Sequence, residues 1–321
     1  MESLGSGLKV HRRRFFQTAA GAVASGGLAS YGLGQVCPPK PGTVRDRLWI
    51  FCNPINADYE YVRKRSVISP LECAIYLGVP NMIMVNQYPD PHDGPLPRPN
   101  DEGFFKPWVP PFELYAYPLK LEKRVVWSIV GAGGVTMASE REQVLAMARR
   151  TPNFVGVFLD DFFRGKPDSP QLASLTLDEL RAVQRELKGA GKKLDLYVTL
   201  YTRMLNLPIG EYLKLIDVIT LWSGETAELA NLDQNLTGLE KLAPQSRKLL
   251  GCYTAEYDGH RTPMWLPLPV AAMKHQCEVG LRWLREGRIE GIIIYGNFLD
   301  LGWESQEWAR EWIQKVGDTE L

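Results

Sequence analysis

Short apolar runs alternate with longer stretches of helical periodicity along this chain, and they do so eight times. The runs are Arg47–Asn53 (RLWIFCN), Asn81–Gln87 (NMIMVNQ), Arg124–Gly131 (RVVWSIVG), the core of Asn153–Phe163 (NFVGVFLDDFF), Leu194–Tyr201 (LDLYVTLY), Val218–Ser223 (VITLWS), Lys248–Thr254 (KLLGCYT) and Gly291–Asn297 (GIIIYGN). Each is short, β-branched and aromatic, as strands buried on both faces are. Between them the spacing predicts helices. Ser69 caps one that has Pro70 in its first turn and stops at Gly78. Others span about Ser139–Arg150, Thr176–Lys188 with a Thr176/Glu179 capping box, Ile209–Leu215, Glu225–Leu242, Val270–Glu286 and Trp303–Val316. Prolines crowd 89–118, which reads as a long loop after the second strand with a helix near Phe112–Leu121.

Eight strands alternating with helices predict an α/β fold, a closed (β/α)8 TIM barrel over 44–318, with the Pro-rich segment as an insertion. An open doubly wound sheet would need a glycine-rich turn after its first strand. That position reads Cys52-Asn53-Pro54-Ile55-Asn56, and Gly131-Ala132-Gly133-Gly134 lacks the dinucleotide spacing too. Those glycines are read instead as a tight turn with close backbone approach.

The fourth strand carries the strongest chemical signal. Its run Phe154–Leu159 ends in two adjacent carboxylates, Asp160 and Asp161. Acids at the end of a buried strand are costly unless something uses them. Alternation along a strand turns them to opposite sides. Asp161 shares the parity of Val157 and Leu159 and lies nearer the mouth, so it is placed closest to the chemistry, with Asp160 orienting a substrate hydroxyl or a neighbour; the opposite assignment stays open beside it. The bland alternative is a pair that caps the next loop, with Arg164 as counter-charge.

Chemistry on this fold sits at the C-terminal strand ends. Read in order, those ends supply Asn53 and Asn56; Asn86, Gln87 and Tyr88; Trp127 and Ser128; Asp160 and Asp161; Thr199, Tyr201 and Arg203; Trp222 and Glu225; Tyr253, Glu256, Tyr257 and Asp258; and Tyr295, Asn297 and Asp300. Aromatic faces among amides and acids suit a carbohydrate, whose C–H faces stack and whose hydroxyls bond. Asn53, Asn86, Trp127, Tyr201, Trp222, Tyr253, Tyr257, Tyr295 and Asn297 are the expected substrate contacts.

Composition changes this picture little. An apolar fraction of 45% supplies a core, and 37 basic residues balance 37 acidic ones, so a nucleic-acid partner is not expected. The five cysteines form no C-x-x-C, and four of them fall on predicted strands and helices as small buried hydrophobes. With four histidines, one of them in the leader, neither a metal centre nor a cofactor is expected.

Residues 1–35 read as an export signal. Arg12-Arg13-Arg14-Phe15-Phe16-Gln17 precedes a weakly apolar Ala/Gly stretch, too polar for a good membrane span. This run resembles the twin-arginine motif, which implies export of a folded protein to the periplasm or beyond, with no stable membrane insertion once the signal is removed. Gly34-Gln35-Val36-Cys37 is a poor lipobox, so no lipid anchor is expected.

An acid on strand four facing one after strand seven resembles the retaining glycosidase clan whose acid/base follows strand four and whose nucleophile follows strand seven. That resemblance pairs Asp160 or Asp161 with Glu256; the clan has Asn-Glu where this chain has Asp-Asp. A second arrangement resembles the α-galactosidase-type clan and pairs a strand-four Asp as nucleophile with Glu225 as acid. Both imply a glycoside hydrolase. The rivals are a metal-assisted hydrolase or isomerase using Asp160, Asp161, Glu256 and His260, and a barrel that binds sugar without cleaving it.

Overall fold

All eight apolar runs form strands, and these pair in parallel into one closed barrel. The computed structural model describes residues 42–53, 66, 68–86, 112–164, 171–257 and 265–321. The leader, Asn56, Gln87, Tyr88, Asp258, His260, Arg261 and most of the Pro-rich insertion lie outside the described residues. Strands β1 (Leu48–Cys52), β2 (Asn81–Met84), β3 (Arg124–Val130), β4 (Phe154–Leu159), β5 (Asp195–Tyr201), β6 (Val218–Trp222) and β7 (Arg247–Cys252) follow one another round the barrel. A small antiparallel hairpin, β8 (Ala255–Tyr257) with β9 (Trp265–Pro267), comes next; β10 (Gly291–Tyr295) then pairs with both β7 and β1 and closes the ring.

Side-chain parity divides two apolar clusters. Trp49, Phe51, Ile83, Val126, Phe158, Tyr197, Val218, Leu249 and Ile293 fill the barrel. Their strand neighbours Ile50, Met82, Val125, Val157 and Leu159 pack outward, in one cluster with the helical residues Leu77, Val144, Leu180, Leu236, Met273 and Ile313. Both faces are therefore dry, which is why the strands read as unbroken apolar runs. Each fully buried side chain of this kind contributes about 1.5–3 kcal/mol. Gly251 makes room inside: a Cβ there would lie 2.1–2.3 Å from three indole carbons of Trp222.

Parity also overturns the strand argument that set Asp161 ahead of Asp160. Val157 and Leu159 face the helices, so the strand rule would carry Asp161 away from the barrel, while Asp160 shares the inward parity of Phe158.

The helices follow the capping signals. Ser69/Glu72 and Thr176/Glu179 both form complete capping boxes, on helices Pro70–Leu77 and Leu177–Lys188. Three expected helices are shorter. Glu225–Leu242 is a 3-10 turn, Thr226–Asn231, followed by an α-helix from Leu232, because Asn231 leaves helical backbone space at φ −102°, ψ 10°. Ile209–Leu215 shrinks to Gly210–Leu213. Phe112–Leu121 splits into Glu113–Ala116 and a 3-10 turn from Pro118, whose missing N–H cannot continue an α-helix. Among the described residues, no helix is long and apolar enough to cross a membrane.

Candidate active site

The end of β4 is tied to its neighbours on both sides. The Asp160 N–H donates to the Val130 carbonyl at 2.9 Å, extending the β3–β4 ladder one residue past the strand. The Asp160 side chain is 4% exposed, and its Oδ1 accepts from the Thr199 hydroxyl of β5 at 2.8 Å. Burial pushes the Asp160 carboxyl well up from the usual range, and the charge of Asp161 adds to the effect. The bonds from Thr199 and from the Asp161 backbone oppose it without reversing it.

Asp161 then breaks the strand pattern. Its φ of 43° is left-handed, a conformation that costs a non-glycine residue of order 1–3 kcal/mol. The turn swings a side chain of outward parity back to the mouth. There Oδ1 accepts from the Tyr201 hydroxyl at 2.7 Å and Oδ2 from the Gly133 N–H at 2.8 Å. Gly134 lets the β3 loop approach: a Cβ would lie 2.6 Å from the Asp161 carbonyl, and its own φ is +64°. Arg164 donates to the Gly133 carbonyl and so braces the same loop.

Asp160 and Asp161 line one cavity of about 140 Å³ at the barrel mouth, with Thr199 and Tyr201 beside them and Asn53 and Ala132 completing the polar side. Phe51, Trp222, Tyr253, Trp265 and Tyr295 form the rest of the wall. Tyr295 stacks between Phe51 (5.6 Å, 26°) and Trp265 (5.4 Å, 19°). Trp222 and Tyr253 meet at 4.9 Å and 53°. Burial pushes both the Tyr201 and Tyr253 phenols up, so they act as neutral hydroxyls. Asn53 is held by Asn297, which accepts from its N–H at 2.9 Å and donates to its Oδ1 at 2.6 Å.

Six of the expected site residues therefore line one cavity: Asp160, Asp161, Asn53, Tyr201, Trp222 and Tyr253, with Tyr295 a seventh. Asn297 stands behind Asn53 and also donates to the Tyr295 hydroxyl at 2.9 Å. Trp127 and Asn86 stand elsewhere. Trp127 has outward parity and packs between Phe112 and Phe154. Its indole N–H donates to Asn86 Oδ1 at 2.9 Å, so these two join a strand pair on the outside of the barrel. Glu256 and Tyr257 belong to the hairpin. Glu256 accepts from the Thr226 hydroxyl at 2.6 Å, and Tyr257 is 47% exposed against Trp265. Glu225 is exposed at the head of the 3-10 turn, and neither glutamate is among the residues that wall the cavity. Asp300 holds Ser66 and the Ile68 N–H. Among the described residues, no three His, Cys, Asp or Glu are grouped as metal ligands.

Phe51 and Trp265 were not anticipated. Phe51 was within reach, since it alternates with Trp49 and Asn53 on one face. Trp265 sits in a proline-flanked stretch, PMWLPLP, with no strand alternation to mark it.

No family model matches this chain, and no curated protein does. Solved structures match in fold. The catalytic domain of a hyperthermophilic chitinase from Pyrococcus furiosus is 14% identical, covers 88% of this chain and 100% of its own, and has a TM-score of 0.53. A xylanase-A-amylase inhibitor protein is 11% identical over 83% of this chain and 98% of its own, with a TM-score of 0.51. An endo-β-1,3-glucanase from Amycolatopsis mediterranei, in complex with laminaritriose, is 12% identical over 83% and 99%, with a TM-score of 0.46. At these identities the likeness is one of architecture, a barrel that both an enzyme and an inhibitor use.

Proposed function

We propose that this chain is an exported carbohydrate-active hydrolase that cleaves a glycosidic bond at the barrel mouth. One observation carries the reading: a buried carboxyl, Asp160, lies next to a second carboxyl in a cavity walled by aromatic rings, and burial favours its protonated form. Thr199 engages Asp160 Oδ1, and under this reading the carboxyl supplies the proton for a leaving glycosidic oxygen. Asp161 is held by Tyr201 and Gly133 where it can steady positive charge at the anomeric carbon or orient a water. The aromatic wall takes the C–H faces of the ring. The fold likeness to a chitinase supports a sugar substrate. Glu256 and Glu225 have no part in the chemistry under this reading, because they wall no part of the cavity. Export rests on the Arg12-Arg13 motif, and a leader–reporter fusion that requires the twin-arginine route would test it.

The decisive experiment is turnover of a broad panel of aryl glycosides and oligosaccharides by wild type, Asp160→Asn and Asp161→Asn. Wild-type hydrolysis that falls about 10²–10⁴-fold in either variant supports the reading. A wild type that hydrolyses nothing on the panel sinks it. One observation favours a second reading, a barrel that binds sugar without cleaving it: both Asp161 oxygens already hold internal hydrogen bonds. Calorimetric binding without turnover would select that reading.

A further inference from the structure

We propose that the cavity takes a single terminal sugar ring bearing a protonated amine. The sugar part rests on the hydrolase reading; the preference for positive charge does not.

Size comes first. The cavity of about 140 Å³ is blind below, because Phe158 and Val218 fill the barrel beneath it and are fully buried. A pocket closed below in this way seats the end of a sugar chain. Charge comes next. Two acids stand on one wall, and among the described residues no Lys, Arg or His lines the cavity. Two arginines stand behind the wall without lining the cavity. Arg203 lies 4.3 Å over the Tyr201 ring and is exposed, and Arg164 is turned to the Gly133 carbonyl. A uronate ring would bring a second anion to Asp161 with no cation among the described lining residues to meet it.

Hydrogen-bond capacity agrees. Each Asp161 oxygen holds one donor and keeps a lone pair, and an ammonium supplies three donors and no acceptor. The remaining wall is aromatic, and its rings do not lie parallel. Neighbours meet at 19° and 26° in the Phe51–Tyr295–Trp265 ladder, but at 72° between Phe51 and Trp222. A ring whose face is turned to this space would attract a cation by about 0.5–2 kcal/mol.

The test is calorimetric, on the purified full chain, with D-glucosamine, D-glucose and D-glucuronate at pH 6, and glucosamine again at a pH where its amine is neutral. Glucosamine should bind about tenfold tighter than glucose at pH 6, and glucuronate weakest. The preference should collapse when the amine loses its proton. An ammonium beside Asp160 also favours that group's ionised form, so glucosamine binding should release protons, seen as heat that varies with buffer, while glucose binding should not. Asp161→Asn should erase the preference. If that variant fails to fold, Trp265→Leu should instead shrink it at least twofold. A preference below threefold, or glucuronate binding as well as glucose, overturns the inference. Hydrolysis of neutral glycosides alongside such a result would leave the hydrolase reading standing. A clear amine preference without any turnover would do the reverse.

Discussion

Asp160→Asn separates the chemistry of the cavity from its packing. Asparagine has the same shape, and its Oδ1 can still accept from Thr199, whose hydroxyl lies 2.8 Å from Asp160 Oδ1. Its amide keeps a donor where the protonated acid had one, but it cannot release that proton. Turnover should therefore fall by about 10²–10⁴ with little change in fold. Stability should move the other way, and the sign follows from burial. The Asp160 carboxyl is pushed up in the folded chain, so the native state holds a proton that the unfolded state gives up at the ordinary Asp value. Wild-type stability then declines as pH climbs from that ordinary value toward the raised one. The Asn variant has no such slope. Its melting temperature should match wild type near pH 4 and exceed it by pH 8. Asp160→Ala is the contrast: it strands the Thr199 hydroxyl, 3% exposed, at a cost of about 1–3 kcal/mol, or several degrees of Tm. Thermal melts of the three proteins at pH 4, 6 and 8, with kcat on any hydrolysed glycoside, give the answer. If the Asn variant loses ground to wild type as pH rises, Asp160 is buried as an anion and its role as proton donor is refuted.

Substitutions at three further positions probe other parts of the structure. Glu122 is 9% exposed, its Oε2 has no partner among the described residues, and burial pushes its carboxyl up to about 7. Wild type should therefore lose about 2–3 kcal/mol between pH 4.5 and 8 through this group, and Glu122→Gln should flatten that part of a denaturant-midpoint profile. Gly251→Ala places a methyl 2.1–2.3 Å from the Trp222 indole, so it should cost about 1–3 kcal/mol or more and weaken sugar binding as Trp222 is displaced; a variant with unchanged melting and unchanged near-ultraviolet dichroism would contradict the packing. Glu256→Gln keeps an acceptor for Thr226 and should retain most of kcat, whereas Glu256→Ala frees the hairpin that carries Trp265 and should raise KM; a loss of kcat in the Gln variant comparable with that of Asp161→Asn would return Glu256 to the chemistry.

The barrel was legible because its signal is redundant. A strand buried on both faces needs an apolar residue at nearly every position, and eight such runs separated by capped helices leave few other topologies. Local chemistry was legible too: Ser69, Thr176 and Gly78 set helix ends through bonds and backbone angles that depend only on near neighbours. Side-chain destination was legible only where parity could be anchored. Trp222 and Tyr253 line the cavity at the mouth, but Trp127 looks the same in sequence and faces the helices. The residue that distinguishes them is a partner: Trp127 has Phe112 and Phe154 to pack on, both distant in sequence. Trp265 was hidden for a similar reason, since its hairpin is only three residues a side and is flanked by prolines.

The two acids mark the limit of periodicity as a guide to function. Alternation predicts opposite sides for adjacent residues, and inside β4 it is obeyed, with Phe158 in and Leu159 out. It fails one step later because Asp161 leaves extended backbone at φ 43°. Nothing in the string LDDFF announces a left-handed residue. Asp tolerates that region better than most side chains, but the turn is held by long-range partners: Tyr201 from β5, and the Gly133 N–H from a loop that only glycine at 134 lets approach. Strain stored at Asp161 is thus offset by two hydrogen bonds that also aim it into the cavity. Replacing Gly134 by alanine should displace Asp161 directly and reach Asp160 only through Asp161, so turnover should fall while the Thr199 bond to Asp160 survives; a Gly134→Ala variant with wild-type kcat would show that two acids merely end a strand.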